Sequence, residues 1–131
     1  MKALIVDIDE TICTQFDCAI PFACEVLRGL RGIEVPYVTS RPEASRKETE
    51  KFLDRERLPG WENLHFCPEW KSSKQHKLEC MRKILRTHDV LASIGDADED
   101  EWASREARIP FVRVKTDDPA GAWRELSFLL R

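Results

Sequence analysis

The 131-residue sequence has five cysteines, Cys13, Cys18, Cys24, Cys67 and Cys80, but no Cys-x-x-Cys pair among them. An odd set without paired spacing supports neither a disulfide framework nor a zinc site, so the thiols are expected to be reduced. No apolar run approaches the roughly 20 residues that a membrane-spanning helix needs. The apolar start Met1–Val6 meets Asp7 too early to form the core of a signal peptide. A cytoplasmic protein with no membrane partner is therefore expected. Positive charge is not in excess either: 21 Lys+Arg against 24 Asp+Glu give a formal net charge of -3. That excludes the broad cationic footprint of a non-specific nucleic-acid binder and leaves room for a local basic patch. The chain also lacks an internal repeat, a low-complexity tract and a Gly/Ser-rich linker, so residues 1–131 read as one domain. What it does have is 42% hydrophobic residues, enough at this length for a core without metal or disulfide staples.

Short apolar runs rich in branched residues recur at Ala3–Ile8, Ile33–Val38, Asn63–Phe66, Val90–Ile94 and Pro110–Val114, and each reads as a strand buried on both faces. Helical patterns lie between them. Pro21–Leu30 carries Phe22, Val26, Leu27 and Leu30 on one stripe; Pro42–Arg57 turns Ala44, Phe52 and Leu53 inward; Gln75–Leu85 turns Leu78, Met81, Ile84 and Leu85 inward; Glu101–Arg108 and Trp123–Leu130 supply two more. Strand alternating with helix predicts an α/β fold, a single Rossmann-like three-layer domain with a five-stranded parallel sheet and right-handed crossovers. Ligands of such a sheet bind at the carboxyl ends of its strands. Pro42 suits the first turn of its helix, and Ser72-x-x-Gln75 reads as a capping box ahead of the next. Trp102 and Trp123 are expected in the core and Trp61 and Trp70 at its edge. His65, His76 and His88 follow no ligand spacing and read as surface or structural residues.

The chemistry centres on Asp7 and Asp9. A central strand has no reason to carry two carboxylates unless its end is a site, and residues i and i+2 of a strand point to the same side, so both acids are expected to face one cleft. Two carboxylates that close repel unless a cation or a shared proton intervenes. Gly95-Asp96-x-x-x-Asp100 follows another apolar strand and brings further oxygen ligands to the same sheet edge. Carboxylates completed by water and a substrate phosphate are the usual surroundings of Mg²⁺, and Asp7, Asp9 and Asp96 are the expected metal set. Asp98, Glu99 and Glu101 place negative charge at a helix N-terminus, which suits the helix dipole whatever the function. Thr39 closes the second strand, so its hydroxyl and the amides of Ser40 and Arg41 form a phosphate cradle. Lys77 can bring a compact positive charge to the same phosphate, with Lys74, one turn earlier, as its competitor.

Asp7-x-Asp9-x-Thr11, the strand-terminal Thr39, Lys77 and Gly95-Asp96-x-x-x-Asp100 together resemble the four ordered motifs of the haloacid dehalogenase-like superfamily. The resemblance implies a Mg²⁺-dependent phosphohydrolase acting on phosphomonoesters through an aspartyl phosphate. It implies Asp7 as nucleophile, Asp9 as general acid and base, Thr39 and Lys77 as phosphate binders, and Asp96 as metal ligand supported by Asp100. The second aspartate marks the phosphoryl-transfer branches and not the dehalogenases. Asp9 to Thr39 holds only a short flap and one helix, and Thr39 to Lys77 only one helix and one strand, so no cap domain fits. Family members without a cap have open sites, which implies a macromolecular substrate or closure by a neighbouring copy in a homo-oligomer.

Residues 37–68 show a narrower resemblance, to the phosphatase domain of phage-type polynucleotide kinase/phosphatases. It rests on Thr39-Ser40-Arg41-Pro42, then Arg46, Thr49-Glu50, Phe52-Leu53 and Leu64 to Pro68. It implies Arg41 as a further phosphate binder and a nucleic-acid 3′ end as substrate, with small phosphorylated molecules as the alternative. Gly-Asp-x-x-x-Asp stands where that group has an adjacent aspartate pair, and the sequence has no P-loop. A different class, the phospho-accepting signalling module, also combines an acid cluster with a Thr/Ser and a Lys. It would need an aspartate after the third strand, where this chain has Phe66-Cys67-Pro68.

Overall fold

The computed structural model describes residues 1–130. In chain order the elements are β1 (Lys2–Val6), a hairpin of β2 (Cys13–Thr14) and β3 (Cys18–Ala19), α1 (Pro21–Gly29), β4 (Ile33–Glu34), β5 (Tyr37–Val38) and α2 (Arg46–Arg55). They continue as β6 (Leu64–His65), α3 (Ser73–Leu85), β7 (Asp89–Gly95), α4 (Asp98–Glu106), β8 (Phe111–Arg113) and α5 (Pro119–Leu129). The main sheet runs β6-β5-β1-β7-β8, with β4 also on β1, and all its pairings are parallel. The expected α/β architecture is thus present. Its second strand is broken at Val35-Pro36, because Pro36 has no N–H to give to a ladder. The Pro36 carbonyl still accepts from the Val6 amide at 3.1 Å, and pairing resumes at Val6 opposite Tyr37.

Alternation along β1 divides the core. Leu4 and Val6 join Ala23, Cys24 and Leu27 of α1, Phe52 and Leu53 of α2, and Trp123 and Leu126 of α5 on one face. Ile5 points the other way, to Leu78, Met81 and Ile84 of α3 and Ala103 of α4. Helices therefore cover both faces of a sheet whose central strand is apolar from Ala3 onward, which is why Ala3 to Val6 are buried on both sides. No helix among the described residues is long and apolar enough to cross a membrane.

Several local expectations need correction. Pro42 lies before its helix and not in the first turn. Pairing with the third strand runs on past β5, from the Thr39 amide to the His65 carbonyl and from the Cys67 amide to the Arg41 carbonyl, so the chain stays extended through Pro42 (φ -77, ψ 162) and coils only at Glu43. Ala44 is consequently exposed, and Thr49 takes the inward place beside Phe52 and Leu53. Leu85, at the last turn of α3, is 38% exposed. Ser72 caps α3 by accepting from the Gln75 amide at 3.1 Å, but the Gln75 side chain bonds Glu79 and leaves the capping box half made. α4 starts at Asp98 because four acids occupy its first turn, where the helix dipole favours them. α5 starts at Pro119, behind an Asp118 side chain that accepts from the Gly121 amide. Trp123 is fully buried as expected, Trp102 is half-buried under the Lys74 ammonium, and Trp61 and Trp70 are exposed rather than packed at the core edge.

Candidate active site

The carboxyl ends of β1, β5 and β7 come together where the chain leaves β1 in one direction along the sheet for β5 and in the other for β7, the usual ligand position in an open parallel sheet. Asp7 continues the line of β1 for one more residue, its amide bonded to the Ile94 carbonyl at 3.0 Å. The chain then turns: the Thr11 and Ile12 amides both bond the Ile8 carbonyl, and Glu10 adopts a left-handed φ of 59. The turn cancels the two-residue alternation expected of Asp7 and Asp9. Asp7 is buried, while the Asp9 side chain is 56% exposed.

Asp7, Asp96 and Asp100 each offer a carboxylate oxygen within 4.8 Å of the others. Lys77, 2% exposed, sets its ammonium 3.2 Å from Asp7 Oδ1 and hydrogen-bonds Asp100 as well. Lys74 is exposed and over Trp102, so of the two lysines it is Lys77 that reaches the acids. The Thr11 hydroxyl donates to Asp7 Oδ2 at 3.3 Å, and the Thr11 carbonyl is fixed in turn by the Trp123 indole N–H at 3.0 Å. Asp100 also accepts from the Ala97 amide. Gly95 is what lets it approach, because a Cβ there would meet the Asp100 Cγ at 2.6 Å.

Burial pushes the Asp7 carboxyl up to about 6, Lys77 pulling against it and Asp96 adding to it. Asp100 is likewise pushed up to about 6, by burial and then by Asp7, with Lys77 opposing. Asp96 is raised by burial and by Asp100, with the Asp7 hydrogen bond holding it down. Burial works against the Lys77 charge, but Asp7 and Asp100 outweigh it and the ammonium is held above its usual range. Three carboxylates around one ammonium leave unbalanced negative charge on hard oxygen donors, which fits a divalent cation of the Mg²⁺ type. Asp7, Asp96 and Asp100 are the side chains that could hold it. The Asp9 carboxylate, expected in the metal set, is outside this group because Arg41 holds it elsewhere.

Arg41 donates from Nε to both Asp9 oxygens at 3.2 and 3.1 Å, and from Nη2 to Asp9 Oδ1 at 2.8 Å and Asp17 Oδ1 at 2.7 Å. Its Nη1 donates to Thr49 Oγ1 at 2.9 Å. Each nitrogen of the expected phosphate-binding guanidinium is thus engaged within the protein, and its amide is spent on the Thr39 hydroxyl at 3.1 Å. The Ser40 hydroxyl is bonded to that of Ser73. Thr39 is fully buried at the strand end, as expected, and its hydroxyl proton is left to donate.

Asp17 carried no signal in the sequence, and Thr49 stood out only as part of the narrower resemblance, not as a partner of Arg41. The clue to Asp17 was a hairpin turn without the glycine such a turn prefers. Gln15 to Cys18 form a turn closed by the Cys18 amide on the Gln15 carbonyl, with Phe16 and Asp17 both left-handed, a conformation that favours Asn-Gly and strains other residues by about 1–3 kcal/mol. Phe16 is 98% exposed at its tip. Cys13 is buried, and burial pushes its thiol up to about 12. The five cysteines are free. The buried His76 ring bonds the His65 carbonyl, a structural role as expected.

Compared with known proteins, the sequence matches no family model and no curated protein.

Proposed function

We propose that the chain is a Mg²⁺-dependent phosphomonoester phosphatase of the haloacid dehalogenase-like type, without a cap domain, that works through an aspartyl phosphate on Asp7. The observation that carries this reading is the contrast between two carboxylates on one short stretch. Asp7 is buried against Lys77, Thr11 and two further acids, while Asp9 stands half-exposed in the grip of a guanidinium. Lys77 and Thr11 hold an Asp7 oxygen in place as a nucleophile needs, and the half-exposed Asp9 stands where it can exchange protons with solvent.

An Asp7 oxygen attacks phosphorus in line while the bond to the leaving alkoxide breaks, and that alkoxide takes a proton from Asp9. A water then attacks the phosphorus of the aspartyl phosphate, giving its proton to Asp9 and releasing phosphate and the free Asp7 carboxylate. Thr11 holds the Asp7 carboxylate in orientation, and Lys77 keeps it ionised and offsets phosphoryl charge. Asp7, Asp96 and Asp100 would hold Mg²⁺, which when bound would add positive charge against the phosphoryl oxygens. The chain after β6 reads Phe66-Cys67-Pro68, and with no acid there a phospho-accepting signalling module is the weaker reading.

For the substrate we favour a nucleic-acid end. A hollow of about 380 Å³ starts in the chain at Pro42, next to Arg41; Phe66, Pro68 and Trp70 in its lining offer apolar surface to a planar group, with Glu43 and Glu69 beside them. A small phosphorylated molecule, with a second copy of the chain closing the cleft, is the alternative. The deciding experiment is hydrolysis of an aryl phosphate and of a 3′-phosphorylated oligonucleotide with Mg²⁺ and with EDTA, by the parent protein and by Asp7→Asn. Mg²⁺-dependent turnover that falls below roughly 1% in the variant supports the reading. Turnover indifferent to both Mg²⁺ and Asp7 overturns it.

A further inference from the structure

We propose that Asp17, in the hairpin turn, is a positioning residue of this site that fixes the orientation of Asp9 through Arg41; the inference rests on the phosphatase reading for its catalytic meaning. A carboxylate as exposed as Asp9 samples several rotamers in water unless something holds it. Here Arg41 holds both of its oxygens, and the Arg41 side chain is only 13% exposed. A guanidinium serves as a fixed clamp only if it is itself fixed, and two partners do this: Thr49 at Nη1 and Asp17 at Nη2. Arg41 stands two residues beyond Thr39, and an unclaimed Nη2 hydrogen there would be free to pair with a phosphate. Asp17 claims it and reserves the arginine for Asp9.

The backbone supports this reading independently. Phe16 and Asp17 lie in consecutive left-handed conformations without being Gly or Asn, and residues held in such regions mark places where the surroundings over-determine the chain. The surroundings are visible: Arg55 Nη2 donates to the Asp17 carbonyl at 2.6 Å while Arg41 takes its carboxylate. The turn is thus tied at two points, by Arg41 after β5 and by Arg55 of α2, and the geometry of Asp9 is tied to that of the hairpin.

The test compares an alkyl phosphate, whose leaving group needs a proton from Asp9, with p-nitrophenyl phosphate, whose leaving group does not. Asp17→Asn should lower kcat for the alkyl ester at least about tenfold more than for the aryl ester, with KM moving less than about twofold. Arg41→Lys keeps the charge but not the two-sided grip, and should show the same pattern. Adding Asp17→Asn to Arg41→Lys should then do little more, because the two act in series. Equal losses on both esters, or additive losses in the double variant, overturn the proposal. A second measurement needs no turnover. Asp9→Ala should speed hydrogen exchange of the hairpin amides Cys13 to Ala19, as Asp17→Asn does. Unchanged exchange in Asp9→Ala overturns the coupling, whereas faster exchange in a protein without phosphatase activity upholds the coupling and refutes the catalytic reading.

Discussion

Lys77 and Asp7, 70 positions apart in the chain, meet at 3.2 Å with almost no solvent on either. A lysine so placed neutralises a carboxylate that burial would otherwise protonate, and its removal strands both Asp7 and Asp100. Lys77→Ala should therefore destabilise the Mg²⁺-free protein at pH 7 by about 3–5 kcal/mol, the usual effect of breaking a buried pair. Lys74→Ala loses only its place over Trp102, about 0.5–1 kcal/mol. Urea unfolding in EDTA measures both. In phosphatase assays Lys77→Ala should lose at least about tenfold in kcat/KM and Lys74→Ala little; the opposite order would transfer the phosphate-binding role to Lys74.

The acid cluster also sets a pH dependence. Asp7 and Asp100 are raised to about 6 in the fold, above their unfolded value of about 3.9. Between those values the native state binds more protons than the unfolded chain, so these two groups make stability fall as pH rises from about 4 to about 6. Without Mg²⁺, their contribution favours the fold at pH 5 over pH 7. Added Mg²⁺ should raise Tm at pH 7 and progressively less below about pH 6, as protons occupy its ligands. Thermal scans across that range, with Mg²⁺ and with EDTA, check both slopes.

Gly95→Ala should damage the site without touching a titrating group. The new Cβ would lie 2.6 Å from the Asp100 carboxylate. Asp100 must then move and give up its bonds to Lys77 and to the Ala97 amide. A loss of about 1–3 kcal/mol is expected, together with weaker Mg²⁺ binding by calorimetry. Unchanged Mg²⁺ affinity would remove Asp100 from the ligand set.

If the substrate is a nucleic-acid end, a 3′-phosphorylated oligonucleotide should be hydrolysed with much higher kcat/KM than the matching mononucleotide. Salt should erode the advantage only slightly, because the chain carries a net charge of -3 and Arg41 is already paired. Equal efficiency for the two substrates points to a small-molecule phosphatase.

The sequence made the elements legible wherever apolar period and position agreed. The Leu4/Val6 and Ile5 alternation, the α3 stripe of Leu78, Met81 and Ile84, and the placement of Asp7, Thr39, Lys77 and Asp96 at one sheet edge all follow from pattern. It was blind where backbone pairing outlasted its strand, as at Pro42, where main-chain bonds to the Cys67 segment postpone the helix. It was also blind to partner choice. The narrower resemblance implies Arg41 as a phosphate ligand, but whether a guanidinium is free depends on which acids fold back on it, and Asp17 reaches it from a turn 24 residues away. The two-residue alternation placed Asp9 beside Asp7 in one cleft, yet the turn on the Ile8 carbonyl separates their surroundings.

The central position of β1 governs how the protein must assemble. β1 leaves the ribosome before the strands that must flank it, and its longest ladder, with β7, joins Lys2–Val6 to Asp89–Ile94. Pairings that distant close large loops before any contact rewards them, and they slow folding. A nascent chain that has not yet delivered β7 holds a bare apolar strand ending in Asp7, with neither Asp96 nor Asp100 beside it. Any chemistry at Asp7 that depends on those acids is therefore withheld until the segment carrying Asp96 and Asp100 has been made.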